Sequence, residues 1–262
     1  MAGHNQDHDF YIPGNSIWPP LSCFGIGLVM FGVVFWLHLS AFAGKTLLTV
    51  GTLIILWAAT QWFRTLIREA RVRGYTGPPK VLELANRYGM VFFIVSELMF
   101  FAAFFAAYFY IYGLNPEWPP ANIEVLNVQL PVINTLILLT SGTTITLAHH
   151  AVLEGEREDA TKFIFITWLL GAFFLACQMY EYGHAAFAFD SGAYGSLFYL
   201  LTGFHGFHVL VGTLMLMVVH RRLTKGDFSS KHHFYFEAAA WYWHFVDVVW
   251  IGLFLFVYVM PS

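Results

Sequence analysis

Charged residues are scarce in this sequence, and their scarcity excludes an ordinary water-soluble fold. Asp, Glu, Lys and Arg together make up 11% of the chain, whereas hydrophobic residues make up 58%. Soluble domains typically contain about 25% charged and about 45–50% apolar residues. The composition therefore predicts an integral membrane protein.

Cysteine is equally rare. Cys23 and Cys177 are the only two, and each falls inside an apolar run. Because they form no CxxC pair, the sequence predicts neither a disulfide framework nor a thiolate metal site. The polar N-terminus, MAGHNQDHDF, lacks the basic n-region of a cleavable signal peptide. With no internal repeat and no stretch long enough for a separate soluble domain, we expect a single domain over residues 1–262.

Long apolar runs, by contrast, are abundant. Seven of them are long enough to cross a bilayer as helices. Trp18-Pro19-Pro20 introduces the first run with an interfacial tryptophan and a helix-starting proline pair. The predicted spans cover about residues 21–39, 46–67, 88–112, 132–152, 163–182, 195–219 and 238–258. The sequence therefore predicts an all-α integral membrane fold of seven transmembrane helices.

The basic residues predict the orientation of these helices. If the N-terminus is cytoplasmic, the inner connections follow spans two, four and six. Every lysine and arginine except Lys45 lies in or beside one of these connections. Since basic residues concentrate on the cytoplasmic side of membrane proteins, we expect a cytoplasmic N-terminus and an external C-terminus.

An acidic residue, Glu97, interrupts the third span in the stretch RYGMVFFIVSELMFFAAFF. It lies about 15 Å along a helix from Arg87, which is about half the thickness of a bilayer core. Its helical neighbours three and four positions away are phenylalanines and an isoleucine, so the helix itself supplies no partner. Desolvation favours the protonated form of such a carboxyl, and residues of this kind are typically functional. The alternative is that Glu97 hydrogen-bonds a neighbouring helix and only fixes the packing.

Histidines and hydroxyl residues add polarity to spans four and six. Span four, NTLILLTSGTTITLAHH, ends in His149 and His150, which point about 100° apart and are poorly placed to bind one metal ion. Its small and hydroxyl residues favour close helix packing. In span six, GFHGFHVLVG places His205 and His208 on one helical face. Metal or haem ligation by this pair is conceivable, but the neighbouring glycines favour tight packing with the imidazoles hydrogen-bonded across it.

Spans five and seven also contain paired polar residues. Gln178 and Glu181 lie one turn apart near the outer end of span five, where an interhelical or interfacial hydrogen-bond site is favoured over a catalytic one. In span seven, His244 and Asp247 are three positions apart and can pair on one face.

Four of these stretches carry a resemblance. RYGMVFFIVSELMFF, NTLILLTSGTTITLAHH, GFHGFHV and HHFYFEAAAWYWHFVDVVW, in this order and spacing, resemble subunit III of the aa3-type cytochrome c oxidases. The resemblance covers essentially the whole chain from SIWPP onward. It implies one bundle of two helices and a second of five, separated by a V-shaped cleft that holds phospholipids.

The resemblance also implies the partners. Such a subunit packs on subunit I, in a complex that contains subunit II, a possible small accessory subunit, and haem a, haem a3, Cu(A) and Cu(B) on those partner chains. Cytochrome c is the electron donor of the complex, and no nucleic acid is involved. The sequence agrees that the chain carries no redox centre, because it lacks both the histidine set for two haems and a copper and the paired cysteines of a binuclear copper site.

Individual residues match family positions. Glu97 matches an intramembrane glutamate that reacts with carbodiimide, which implies a protonated carboxyl. Arg64 and Arg222 match arginines that face lipid phosphates, with Trp62, His232 and Phe234 as expected companions. His8 resembles N-terminal histidines near the mouth of the proton-uptake path of subunit I; an unconstrained tail histidine is the alternative. Buried structural roles are expected for His149, His205, His208, His244 and Asp247. No catalytic, cofactor-binding or metal-binding residue is predicted.

The expected function is that of a non-redox core subunit, which stabilises subunit I, binds phospholipids, supports proton uptake and protects the binuclear centre from turnover inactivation. A quinol-oxidase subunit III is an alternative, although those relatives are typically shorter, with five helices. A free-standing proton transporter would be expected to show broken helices or paired repeats, and a retinal protein would need a lysine that span seven lacks. We expect the bacterial inner membrane as the location, with the mitochondrial inner membrane as the alternative.

Overall fold

Seven helices run through the described part of the chain. The computed structural model describes residues 15–73, 80–120 and 128–261. The helices are α1 (Trp18–His38), α2 (Ala41–Arg73), α3 (Lys80–Leu114), α4 (Gln129–Glu154), α5 (Arg157–His184), α6 (Ala193–Thr224) and α7 (Phe234–Leu253). All seven are long and apolar enough to cross a membrane, and no strand occurs among the described residues. The predicted seven-helix membrane fold is confirmed.

Most helices are longer than the predicted spans. The second was expected to end at about residue 67 but continues to Arg73, and the third was expected from about residue 88 but begins at Lys80. Hydropathy detects only the apolar part of a helix, whereas Lys, Arg and Glu near its ends are good helix formers that continue the same backbone into the polar interface.

The chain divides into two compact units, as expected for bundles of two and five helices. The first ends at Glu83 and contains α1 and α2, and the second begins at Leu84 and contains nearly all of α3 and all of α4 to α7.

A seam of glycines holds α1 against α2 within the first unit. A methyl group added at Gly25 would lie 2.8 Å from Ile55 Cγ1, and one added at Gly51 would lie 2.8 Å from the carbonyl oxygen of Gly25. A methyl group added at Gly32 would lie 2.7 Å from the backbone nitrogen of Leu48. Small residues allow this approach of two backbones, which drives helix pairing in a membrane, where no hydrophobic effect pulls helices together.

Two tryptophans of α7 form the centre of the second unit. Trp243 is fully buried, and methyl groups added at Gly171 of α5 or Gly212 of α6 would collide with its indole ring. Its Nε1 donates a hydrogen bond to Ser141 Oγ of α4 at 2.9 Å. Trp250 Nε1 donates in the same way to Thr135 Oγ1, also at 2.9 Å. The tryptophans therefore join α7 to α4 and fill the space that the glycines leave.

The last helix ends in a π-helical segment, and a side chain of α3 donates a hydrogen bond to its backbone. After Leu253 the backbone continues as a π-helix over Phe254–Val259, in which Met260 N–H donates to Leu255 O. Pro261, five residues after Phe256, has no N–H to donate to the Phe256 carbonyl. That carbonyl instead accepts a 2.7 Å hydrogen bond from the buried Tyr108 hydroxyl. A backbone acceptor at the end of α7 thereby anchors α3.

The ends of α5 and α6 on the basic side are joined by one arginine. Arg157 begins α5, and its Nε donates to the carbonyl of Leu223 at 2.6 Å, while its Nη2 contacts the carbonyl of Thr224. These carbonyls belong to the last turn of α6, where helix carbonyls have no intrahelical donor. A cation there is favoured by the helix dipole as well.

Candidate functional site

Glu97 lies inside the second unit beside a histidine of α6. Its Oε2 is 3.0 Å from His208 Nε2, and the exposed fractions of the two side chains are 19% and 5%. His208 Nδ1 lies 2.7 Å from the carbonyl oxygen of Phe204, a pure acceptor, so Nδ1 carries a proton. Nε2 and Glu97 therefore share one further proton across the α3–α6 contact.

Aromatic rings surround this acid–imidazole pair. The His208 ring lies 4.6 Å from the ring of Phe204 and 5.1 Å from that of Phe101, and it stacks on Tyr242 at 6.2 Å, measured between ring centroids. A low-polarity surrounding strengthens a hydrogen bond that is made and penalises a polar group without one. The hydrogen-bond partner of Glu97 is thus His208 of α6. The sequence shows His208 as an imidazole in an apolar run but does not indicate that it pairs with Glu97.

The other histidine of the GFHGFHV stretch is engaged elsewhere. His205 is fully buried, its Nε2 lies 3.2 Å from the carbonyl oxygen of Val246, and its ring lies 5.1 Å from that of Trp250. His205 and His208 share a helical face as predicted, but each of them bonds to different groups.

A second buried acid lies on α5. Glu181 Oε2 accepts hydrogen bonds from Gln178 Nε2 at 2.8 Å and from the Tyr258 hydroxyl at 3.0 Å. Glu181 and Gln178 are both buried. The sequence predicted either an interhelical or an interfacial hydrogen-bond site for Gln178 and Glu181, and the structure has the interhelical one. The partner from the other helix is Tyr258 of the π-helical segment, which the sequence did not identify.

A third acid, Asp247, lies in a groove between α7 and α4. Its Oδ2 lies 3.9 Å from His244 Nδ1, on the face where the sequence predicts the two residues to pair. The same carboxylate rests directly against Gly142 of α4, where a methyl group would overlap it. His244 was expected to be buried, but its side chain is 46% exposed because it lies at the open side of this groove, where its Nε2 is 3.4 Å from Thr146 Oγ1. The groove is otherwise apolar and opens to the outside of the bundle.

A fourth polar cluster lies at the end of the second unit that carries Arg87. Arg87 donates from Nε and Nη2 to the Glu237 carboxylate at 3.2 and 3.3 Å, and His233 Nε2 lies 3.2 Å from Glu237 Oε1. His149 of α4 faces His233 with ring centroids 5.5 Å apart. His149 was expected as a buried structural group, but its meeting with His233 and Glu237 was not foreseen, because no local spacing connects these residues.

The residues expected to bind lipid lie in both units. In the first unit, Arg64 and Trp62 on α2 have exposed side chains. In the second, the Arg222 side chain is 12% exposed, with Nε 3.4 Å from Asp227 Oδ2 and its guanidinium carbon 4.5 Å from the ring centroid of Phe228. His232 and Phe234 are half-buried at the start of α7. His8 lies outside the described residues.

Comparison with known proteins identifies the family. A model of the family described as cytochrome c oxidase subunit III matches residues 8–262. The chain is 43% identical to cytochrome c oxidase subunit 3 of Mus musculus over 260 residues, which cover 97% of this chain and 98% of the relative. It is 42% identical to the protein of the same name from Locusta migratoria over 264 residues, which cover 98% of each chain. Both the motifs and the seven membrane helices agree with these matches, and the chain therefore belongs to the cytochrome c oxidase subunit III family, as a component of that oxidase complex.

Proposed function

We propose that this chain is a non-redox core subunit that stabilises subunit I of a proton-pumping cytochrome c oxidase and keeps its lipid and proton supply intact. One observation carries the proposal: three pairs of buried or half-buried polar side chains in the second unit are hydrogen-bonded across helices. Glu97 pairs with His208, Trp243 with Ser141 and Tyr258 with Glu181. Such pairing supports a rigid membrane scaffold, because hydrogen bonds between helices fix their rotation.

Phospholipid binding is the second part of the proposal. Arg222 is held over Phe228 and Tyr235 with Asp227 at its Nε, which fixes the position of the guanidinium at the basic end of α6. A guanidinium fixed at the membrane surface suits a lipid phosphate, which it can bind through parallel N–H donors. Arg64 on α2 supplies a second exposed cation, and the exposed Trp62 lies two residues earlier on the same helix.

Support of proton uptake is the third part. His8 would lie near the entrance of the uptake path of subunit I, where an imidazole that titrates near neutral pH can pass on protons. Glu97 would stay in its place, bonded to His208, rather than act as a carrier.

The arrangement in the membrane follows from the charges. All lysines and arginines but Lys45 lie in the connections after α2, α4 and α6 or in the helix segments that border them, which supports a cytoplasmic N-terminus. We place the complex, with subunits I and II and a possible small accessory subunit, in a bacterial inner membrane. The haems and coppers belong to the partner subunits.

A depletion experiment tests the proposal. The complete oxidase and the oxidase stripped of this chain are compared for initial turnover rate and for the number of turnovers before activity is lost. We expect similar initial electron transfer and a much shorter working life in the stripped enzyme, restored by adding the chain back but not by adding phospholipid alone. Equal working lives for the two preparations would contradict the proposal.

A further inference from the structure

Two histidines and a glutamate meet at the end of the second unit where α4 finishes and α7 begins. His149 lies in the last turns of α4, His233 immediately precedes α7, and Glu237 lies in the first turn of α7. One ligand atom from each residue lies within 4.8 Å of the other two. A tetrahedral zinc site has its ligand atoms roughly 3.3 Å apart, so small side-chain rotations bring these three into coordinating distance.

The proton position on His233 leaves one lone pair of its ring directed into this cluster. His233 Nδ1 lies 3.0 Å from the carbonyl oxygen of Ser229 and therefore carries the proton, which leaves Nε2 as an acceptor. That Nε2 lies 3.2 Å from Glu237 Oε1, although neither atom then has a proton to donate. His149 Nε2 and His233 Nε2 are both buried without a hydrogen-bond partner among the described residues, and the His233 side chain is 7% exposed. Two acceptors facing each other repel unless a cation or an added proton lies between them.

Arg87 completes the surroundings. Its guanidinium binds the Glu237 carboxylate through Nε and Nη2, which orients the carboxylate and offsets its charge. An arginine in this position acts as the outer hydrogen-bonding shell that metal-binding carboxylates generally possess. It also disfavours hard cations such as Ca²⁺ and Mg²⁺, which select sites rich in unpaired carboxylate oxygen.

From this geometry we propose that His149, His233 and Glu237 form a binding site for a divalent cation of the zinc class. Two imidazole nitrogens and one carboxylate oxygen are a donor set that Zn²⁺ accepts, with water in the fourth position. A bound ion would join the end of α4 to the start of α7, with α3 attached through Arg87. This inference does not depend on the proposed function, since it concerns ion binding by the chain within the assembled complex.

Zinc titration of the complete oxidase complex tests the proposal with a matched pair of variants. His149→Phe keeps a ring that can stack on Phe236, as the imidazole does with centroids 5.5 Å apart. His150→Phe changes the neighbouring, exposed histidine of the same helix and serves as the control. After chelator treatment and addition of zinc chloride, we expect the control complex to bind one zinc equivalent more than the His149→Phe complex. Glu237→Gln should weaken this site by about tenfold or more.

Equal zinc stoichiometry and affinity in the His149→Phe and His150→Phe complexes would overturn the proposal and indicate that a proton occupies the cluster. A measurement on the unaltered complex decides the matter if the His149→Phe complex fails to assemble. Zinc should then slow amide hydrogen exchange at the start of α7, around His233 and Glu237, relative to the chelated complex. Identical exchange with and without zinc would also overturn the proposal.

Discussion

The Oε2 atom of Glu97 lies 3.0 Å from Nε2 of His208, so an acid of α3 and an imidazole of α6 share one proton inside the helix bundle. Since His208 Nδ1 is already bonded to the carbonyl of Phe204, neither residue can be replaced by an apolar one without leaving a polar atom of the other unpaired in an apolar surrounding. The pair therefore orients α3 relative to α6, whatever further part it plays in the oxidase.

Two replacements of Glu97 test whether its hydrogen bond to His208 stabilises the complex. Glu97→Gln retains an N–H donor for His208 Nε2, so we expect its stability within the complex to change little. Glu97→Leu leaves that nitrogen buried without a donor, and we expect a loss of about 1–2 kcal/mol, the upper range for hydrogen bonds between membrane helices. Denaturation of the purified complex in graded detergent mixtures measures the difference.

Ser96→Ala is the control for this pair, because the exposed Ser96 hydroxyl bonds, among the described residues, only to the carbonyl of Phe93 on its own helix. It should behave like the unaltered chain. Equal destabilisation by Glu97→Gln and Glu97→Leu would show that the hydrogen bond to His208 contributes nothing to stability.

The fit of Trp243 against two helices predicts a strong position effect on α6. A side chain at Gly212 collides with the indole ring, whereas a side chain at Gly206 meets nothing within 4 Å. Gly212→Leu should therefore prevent proper packing of α6 on α7 and reduce the yield of assembled complex severely, because overpacking in a filled core costs about 1–3 kcal/mol or more. Gly206→Leu should assemble normally. The yield of complex after affinity purification distinguishes the two, and similar yields would contradict the packing described for Trp243.

The α1–α2 pair permits the same comparison within a single helix. Gly25 faces Gly51 and Ile55, but Gly27 has no atom within 4 Å of an added methyl group. We expect Gly25→Leu to separate the two helices and make the first unit susceptible to proteolysis, while Gly27→Leu remains resistant. Time courses of limited proteolysis in detergent give the result. Equal cleavage of both variants would mean that close backbone approach does not hold this unit together.

Adjacent arginines test the proposed lipid site. Arg222 is held against Asp227 and the ring of Phe228, whereas the preceding residue, Arg221, has an exposed side chain. Arg222→Ala should lower the number of phospholipids that copurify with the complex, and Arg221→Ala should not, because a loosely held surface cation contributes little to binding. Phosphorus analysis and native mass spectrometry count the lipids. Equal lipid content in the two variants would remove Arg222 from the lipid site.

The spans could be predicted from the sequence, but the pairs that connect them could not. Residues such as Phe92 and Leu98 around Glu97 mark α3 as a membrane helix from composition alone. The partner of Glu97 depends on how far α3 and α6 are rotated and on which turn of each lies at the same depth. The rotation and depth of the two helices are set by packing between helices, and hydropathy contains no information on that packing.

The same limit explains the cluster around Glu237. The sequence argues against one metal ion between His149 and His150, since adjacent residues of a helix point in different directions. It gives no sign that His149 faces His233, because the two residues lie on different elements and are far apart along the chain. The interface between α4 and the start of α7 brings them together.

The hydrogen bond from Tyr108 to the carbonyl of Phe256 depends on the residue at position 261 being a proline. Because proline has no N–H, Pro261 cannot donate to the Phe256 carbonyl oxygen. That oxygen is therefore available to Tyr108 of α3, which lies 148 residues earlier in the chain. The contact with α3 at this point thus combines a main-chain acceptor with the Phe256 ring, whose centroid lies 5.9 Å from that of Phe105 and 5.0 Å from that of Phe109. The π-helical segment that follows α7 therefore anchors α3.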